Sequence, residues 1–102
     1  MSKTVLLIRR KGFPVEEIRQ QLDLHEIKLL NASSLEEVRK ILAVEAVDHV
    51  IMGAGLGLEL RCDIVREVFT SSDTTTVHLK DLASGPEGML PFASAVLSGF
   101  SD

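Results

Sequence analysis

One stretch of the chain limits its possible folds more than any other. The run VDHVIM at 47–52 is apolar and too short for a helix, a pattern that favours a buried strand. Gly53, Gly55 and Gly57 follow it, and a helix-patterned segment begins at about Leu58. A strand, a tight glycine turn and a helix in direct succession are typical of parallel α/β sheets, and in open sheets ligands bind at such turns.

The same alternation of strand and helix patterns runs along the whole chain. Strand patterns cover 3–8, 26–31, 47–52 and 74–79, and helix patterns cover about 14–24, 35–45, 58–71 and a last segment near the C-terminus. Short connections of this kind give right-handed βαβ units. The first strand is apolar throughout, as in a strand covered on both faces, whereas the second has the pattern of an edge strand. We therefore predict an α/β three-layer sandwich, with a four-stranded parallel sheet in the order 2-1-3-4 and helices on both faces.

Two serine–glutamate pairs predict where helices begin. Ser34 and Glu37 have the spacing of a capping box, and Ser84 and Glu87 repeat it. In the third predicted helix, apolar residues recur at helical spacing and predict a buried stripe. That stripe consists of Cys62, Val65 and Phe69, widened by Ile64 and Val68.

Size and composition exclude several classes of protein. The chain has 102 residues, enough for one domain over 1–102 with its own core. Its formal net charge of -4 and its lack of Trp and Tyr argue against nucleic-acid binding, which relies on basic surfaces and aromatic stacking. No apolar run approaches the length of a membrane span. We expect neither nucleic acid nor a membrane as a partner.

The cysteine and histidine content limits the disulfides and metal sites that the chain can form. Cys62 is the only cysteine, so the chain forms no internal disulfide and no cysteine metal cluster, and we expect a cytoplasmic location. The three histidines are scattered and lack the spacing of metal ligands. The sequence therefore implies no metal site and no cofactor.

Three segments carry a resemblance to a known family. They are VLLI at 5–8, SLEEV at 34–38 and VDHVIM at 47–52. In their order and pattern, over about residues 3 to 79, they resemble the receiver domain of bacterial response regulators. The resemblance implies a doubly wound, flavodoxin-like fold with strand order 2-1-3-4-5, and a regulatory function.

The residues that carry receiver chemistry are replaced in this chain. The resemblance places the acidic Mg²⁺-binding pair of receivers on Arg9 and Arg10, and their phosphoacceptor Asp on Gly53. The Ser/Thr position at the end of the fourth strand falls near Lys80 or Asp81, and no fifth strand with its Lys follows. We therefore expect a shortened relative that cannot be phosphorylated and that acts as a regulatory or interaction module.

The strand ends predict a binding site of a different kind. Parallel strands end at one edge of the sheet, where helix N-termini favour anions. We therefore predict a pocket for a small anion, such as a phosphate, a nucleotide phosphate or a carboxylate. Its expected ligand-binding residues are Arg9, Arg10, Gly53, Ala54, Gly55, Lys80, Ser84 and Gly85. The alternative is a solvated basic loop after the first strand, with glycines that serve only close packing or positive φ.

An enzymatic function is the alternative to a binding module. His78, Lys80 and Asp81, with Ser84 close by, would supply a general base, a cation and a hydroxyl for a phosphorylated or carboxylated substrate. In the structural alternative, His78 is a half-buried residue of the sheet, Lys80 protects the sheet edge and Asp81 forms a turn. No nucleophile and base stand at a diagnostic spacing, so we favour the binding module.

Surface composition suggests self-association. The fourth strand is a threonine-rich edge, and in the last helix Leu90 and Leu97 fall outside the stripe of Met89, Phe92 and Val96. Exposed apolar surface commonly marks association. We expect a protein partner or a homodimer through strand 4 or helix 4; in the alternative, both elements cover the sheet of a monomer.

Overall fold

The structure, a computed structural model, describes residues 3–10, 27–83 and 85–99. The strands in these residues are β1 (Lys3–Ile8), β2 (Ile27–Ala32), β3 (His49–Met52) and β4 (Thr76–Leu79). The helices are α1 (Leu35–Val44), α2 (Leu58–Ser71) and α3 (Met89–Ser98). The helix predicted over 14–24 lies outside the described residues. Within the described ranges, no helix is both long and apolar enough to cross a membrane.

The four strands form one parallel sheet in the order β2-β1-β3-β4. The predicted fold class and strand order are confirmed, and β2 is an outer strand as its pattern indicated. β4 begins at Thr76 instead of residue 74. In the residues just before it, hydrogen bonds to side chains take the place of backbone pairing between strands. The Ser72 hydroxyl accepts bonds from the N–H groups of Thr74 and Thr75, and the Thr75 hydroxyl donates to the carbonyl of Val47.

The core has two parts, one on each face of the sheet. Even-numbered residues of β1 and β3 face α1 and α2, and odd-numbered ones face α3. The first part includes Leu6, Ile8, Val50, Met52, Val38, Ile64 and Val68. The second part includes Val5, Leu7, Leu29, Ile51, Met89 and Leu97. Helices therefore cover both faces, and the predicted three-layer arrangement is confirmed.

The start of α1 follows the predicted capping pattern with one change. The N–H of Glu37 donates to the hydroxyl of Ser34 at 3.2 Å, so Ser34 is the N-cap. The carboxylate of Glu37 accepts its shortest bonds from the N–H and hydroxyl of Ser33, each 2.8 Å long. The return contact of the capping box is therefore shifted by one residue.

The start of α3 differs from the prediction. A short 3-10 turn at Pro86–Gly88 precedes the helix, which begins at Met89 after Gly88 and has no side-chain cap. The N–H of Gly88 donates to the carbonyl of Gly85, which is the bond of a 3-10 turn. Ser84, the other half of the expected capping box, lies outside the described residues.

The predicted buried stripe of α2 is confirmed for Ile64 and Val68 and wrong for Cys62 and Phe69. Ile64 and Val68 are fully buried, whereas Cys62 is exposed and Phe69 is 53% exposed. Contacts on either side of Ile64 and Val68 fix the rotation of the helix about its axis. Glu67 pairs with Arg39 of α1 at 2.9 Å on one side, and the Arg61 guanidinium reaches the end of β4 on the other.

The apolar residues of α3 also differ from the prediction. Leu97 is buried, and Leu90 packs against the same part of the core as Phe92 and Val96. The helix is buried over a wide arc because it lies flat on the sheet face that contains Leu7. The apolar excess of this helix therefore does not form an exposed surface.

Gly57 gives the glycine turn its shape. Its φ of 84° and ψ of 151° lie in a region open almost only to glycine. Gly53, by contrast, has an ordinary φ of -76°. Positive φ therefore explains Gly57 but not the other two glycines of the turn.

We expect Gly57→Ala to lower the free energy of unfolding by about 1–3 kcal/mol, because alanine is strained in this conformation. No atom lies within 4 Å of the position of an added Cβ, so the loss would be purely conformational. Gly55→Ala is the matched control, since its Cβ would make only ordinary contacts with Arg10. Denaturant unfolding of both variants tests this, and equal losses would contradict it.

Candidate functional site

Three residues extend the sheet by one position beyond its strands. The N–H groups of Arg9, Gly53 and Lys80 donate to carbonyls of the neighbouring strands at 3.0, 2.9 and 2.9 Å. Ile8 pairs with Met52, so the next residues, Arg9 and Gly53, are also neighbours. The three residues form a row across the sheet, which we call the Arg9–Gly53–Lys80 row.

The glycine in this row leaves space between two cationic side chains. A Cβ at Gly53 would lie 3.5 Å from Cγ of Arg9 and 3.8 Å from the sulfur of Met89. Neighbouring strands lie about 4.8 Å apart, so the backbones of Arg9 and Lys80 are separated by about 10 Å. The row therefore holds two positive side chains around a gap with Met89 beside it.

A cavity of about 140 Å³ lies at this row. Its lining residues come from the ends of β1, β3 and β4, from the glycine turn and from α3. They are Arg9, Arg10, Gly53, Ala54, Gly55, Lys80, Leu82, Gly85 and Met89. The structure thus brings together every predicted ligand-binding residue except Ser84, which lies outside the described residues.

Burial distinguishes the cations of the cavity. Arg9 is 6% exposed and Lys80 is 3% exposed, whereas Arg10 is exposed at the rim. Arg9 is therefore not part of a solvated loop, and Lys80 is not an exposed lysine at the sheet edge, so both of these alternative interpretations are wrong. Charged side chains of these types are seldom so fully buried, and charges away from water are less screened by salt.

Acidic groups lie at the margin of the cavity. The ammonium of Lys80 donates to the main-chain carbonyl of Asp81 at 2.9 Å, and the exposed Asp81 carboxylate is 3.9 Å from it. Carboxylate oxygens of Glu87 lie 3.7 and 4.0 Å from the Cβ position of Gly85. In the described part of the chain, no group of three or more His, Cys, Asp or Glu side chains has a geometry that would hold a metal ion.

Arg61 supports the site and was not predicted. Its Nη2 donates to the carbonyl of Lys80 at 2.7 Å and ties the first turns of α2 to the end of β4. The sequence holds a signal for this, because Arg61 precedes Ile64 and Val68 by three and seven residues. Residues at that spacing share one side of a helix, so this signal can be used once the rotation of α2 is known. Leu82 was also missed, since nothing distinguishes it from other loop residues.

The proposed catalytic residues do not converge. Nε2 of His78 lies 3.0 Å from the hydroxyl of Thr76, which also contacts the ring of His49. The two imidazole rings have centroids 6.2 Å apart. Lys80 lines the cavity, whereas His78 is not among its lining residues and the Asp81 carboxylate is exposed.

Comparisons with protein-family models, curated proteins and solved structures found no match for this chain. The interpretation of the site therefore depends on its own geometry and charges.

His49 has an altered acidity. Partial burial lowers the pKa of His49 below its usual 6.5, and the positive charge of Lys3 lowers that pKa further. The Asp48 carboxylate raises the pKa of His49 and so opposes part of this effect, while His78 adds a smaller lowering. The folded state therefore favours neutral His49.

This preference predicts a specific pH dependence. As the pH falls below about 6.5, His49 takes up a proton more readily in the unfolded chain, so the free energy of unfolding should decrease toward the folded-state pKa. Urea unfolding on either side of this pH, with His49→Gln as control, measures the effect, and an NMR titration locates the pKa. The same pH dependence in wild type and His49→Gln would contradict it.

Proposed function

We propose that this chain is a receiver-like regulatory module that binds a small anion in the cavity at the Arg9–Gly53–Lys80 row. One observation carries the proposal: two cationic side chains, 6% and 3% exposed, stand on either side of a glycine and line one cavity. An anion in the cavity would interact favourably with both charges. Because both side chains are removed from water, these interactions would be stronger than at an exposed basic loop.

The size of the cavity limits the ligand. Its volume of about 140 Å³ is close to the roughly 150 Å³ of an engineered cavity that holds benzene. A phosphate, a short phosphate monoester or a short carboxylate fits this space, whereas a whole nucleotide does not. Met89 and Leu82 offer apolar contact to a short carbon chain beside the charged group.

The resemblance to receivers supports a regulatory function in place of phosphotransfer. Where receivers carry acidic residues that bind a cation, this chain has Arg9 and Arg10, and Gly53 stands at the phosphoacceptor position. The sheet order 2-1-3-4 is compatible with a flavodoxin-like fold. We infer that the chain responds to a dissolved anion instead of a phosphorylated aspartate.

The enzymatic alternative has less support. A general base must lie within hydrogen-bond reach of its substrate, and His78 is directed toward Thr76 and His49 instead of the cavity. Lys80 and Asp81 alone provide a cation and an exposed carboxylate. We therefore favour binding over catalysis.

The binding proposal is tested with inorganic phosphate, glycerol 3-phosphate and succinate as probes. At least one should raise the melting temperature of the wild-type protein, because a ligand that binds only the folded state stabilises it. Lys80→Met keeps much of the side-chain volume and removes the charge, so the affinity should fall about tenfold or more, equivalent to about 1.4 kcal/mol.

Lys40→Met is the matched control, because Lys40 is 75% exposed on α1 and the substitution changes the net charge equally. Calorimetry should show unchanged affinity in this variant. If no probe stabilises the wild type, or if Lys80→Met binds as well as Lys40→Met, the anion site is disproved.

The size limit gives a second test. Adenosine monophosphate should bind no more tightly than glycerol 3-phosphate, because its base and much of its ribose would lie outside the cavity. The two dissociation constants are compared by calorimetry under identical salt conditions. A nucleotide that binds ten times more tightly would show that the ligand site extends well beyond the lining residues.

A further inference from the structure

Helix α2 carries an apolar stripe that the fold leaves largely uncovered. Leu58 is 77% exposed and Phe69 is 53% exposed, Cys62 is exposed, and Val65 is partly buried. We call Leu58, Cys62, Val65 and Phe69 the α2 stripe. Their spacings of four, three and four residues place them on one side of the helix, in the pattern of a helix-pairing seam.

The stripe lies on the flank of α2 that faces away from α1. Glu67 contacts Arg39 of α1 on the other flank. On the stripe side, Arg61 reaches the end of β4. Leu79 of β4, an outer strand of the described sheet, is 47% exposed on the same face of the sheet. The stripe thus borders a sheet edge that is accessible to another chain.

We propose that a second copy of this chain packs on the α2 stripe, with the two α2 helices antiparallel about a two-fold axis. A two-fold contact requires a surface that is complementary to itself. In the antiparallel arrangement, Leu58 meets Phe69 of the second copy and Cys62 meets Val65 of the second copy. The large side chains of Leu58 and Phe69 then lie at the two ends of the contact, and the smaller Cys62 and Val65 lie at its centre.

Charge complementarity favours a second copy as the occupant. Glu59 and Arg66 are both exposed, are seven residues apart and lie on the solvent side of the stripe. An antiparallel partner would place its Arg66 near Glu59, and its Glu59 near Arg66, so the contact would gain two equivalent ion pairs. Among the residues that the structure describes, the Arg66 side chain contacts the Asp63 carboxylate at 3.5 Å. This exposed ion pair is weak and would compete little with a pair across the contact.

This surface differs from strand 4 and helix 4, the two elements through which the sequence predicts association. The apolar residues of α3 pack into the core, so α3 offers little surface for association. The α2 stripe contains none of the residues that line the cavity. The association proposal therefore stands or fails separately from the anion site.

The first test is the oligomeric state of the full chain across a concentration series, measured by sedimentation velocity. The wild type should show a dimer whose share rises with concentration, and Phe69→Glu should remove it. Val44→Glu is the matched control, because Val44 is 80% exposed at the end of α1, and its dimer share should stay unchanged. A wild type that is monomeric at every concentration, or a dimer unaffected by Phe69→Glu, would overturn the proposal.

Charge reversal tests the antiparallel geometry. Glu59→Lys or Arg66→Glu alone would place like charges opposite each other and should lower the dimer share. An equimolar mixture of the two variants should restore it, because one chain then carries two positive charges and the other two negative charges at these positions. Thermal unfolding of each variant checks that α2 is intact, and a mixture that stays monomeric would overturn the geometry.

Cys62 gives an independent readout at the centre of the stripe. It is the only cysteine in the chain, so a short bismaleimide can link two copies only through this residue. The wild type should form a cross-linked dimer at low reagent concentration, and Phe69→Glu should reduce its yield several-fold, with Cys62→Ser as the blank. Equal yields in wild type and Phe69→Glu would indicate random collision and would also overturn the proposal.

Discussion

The pairing of β1 with strands on both of its sides determines the rest of the structure. β1 bonds to β2 and β3, and its residues from Val5 to Ile8 are almost completely buried on both faces. Every layer packs against this strand: α1 and α2 on one face, and α3 on the other. The bond from the N–H of Arg9 to Ala32 extends this pairing beyond the apolar run. A positive side chain is thereby held in the interior by the geometry of the backbone.

The properties of the cavity depend on the residues that directly follow β1, β3 and β4. Parallel strands in register bring these residues into a row, and the row here holds a cation, a glycine and a second cation. Side chains of ordinary size at all three positions would fill the gap. Lys80 is further fixed through its carbonyl, which accepts a bond from Arg61. The charge of the site and its free space therefore have a common origin in the register of the sheet.

Much of the architecture could be predicted from the sequence, because uninterrupted apolar runs and short connections leave few ways to arrange four strands. The residues around the cavity could be named because strand ends must share one edge. The rotation of α2 could not be predicted, since Ile64 with Val68 and Cys62 with Phe69 are both apolar and both have helical spacing. The burial of Arg9 and Lys80 was also beyond sequence reasoning. A charged residue after a strand has the pattern of a loop, whether or not the ladder continues through it.

The glycine turn separates two functions that are often combined in one residue. Gly57 fixes the path of the backbone through a conformation that other residues avoid, whereas Gly53 keeps the space between the cations open. The segment between them, Ala54–Leu56, therefore neither needs the unusual backbone conformation of Gly57 nor keeps the space between the cations open. Ala54 and Gly55 nevertheless line the cavity. For protein engineering, this makes positions 54 and 55 the natural places to vary side chains. The lining of the cavity can be changed there while the sheet, the turn and the charged row are left intact.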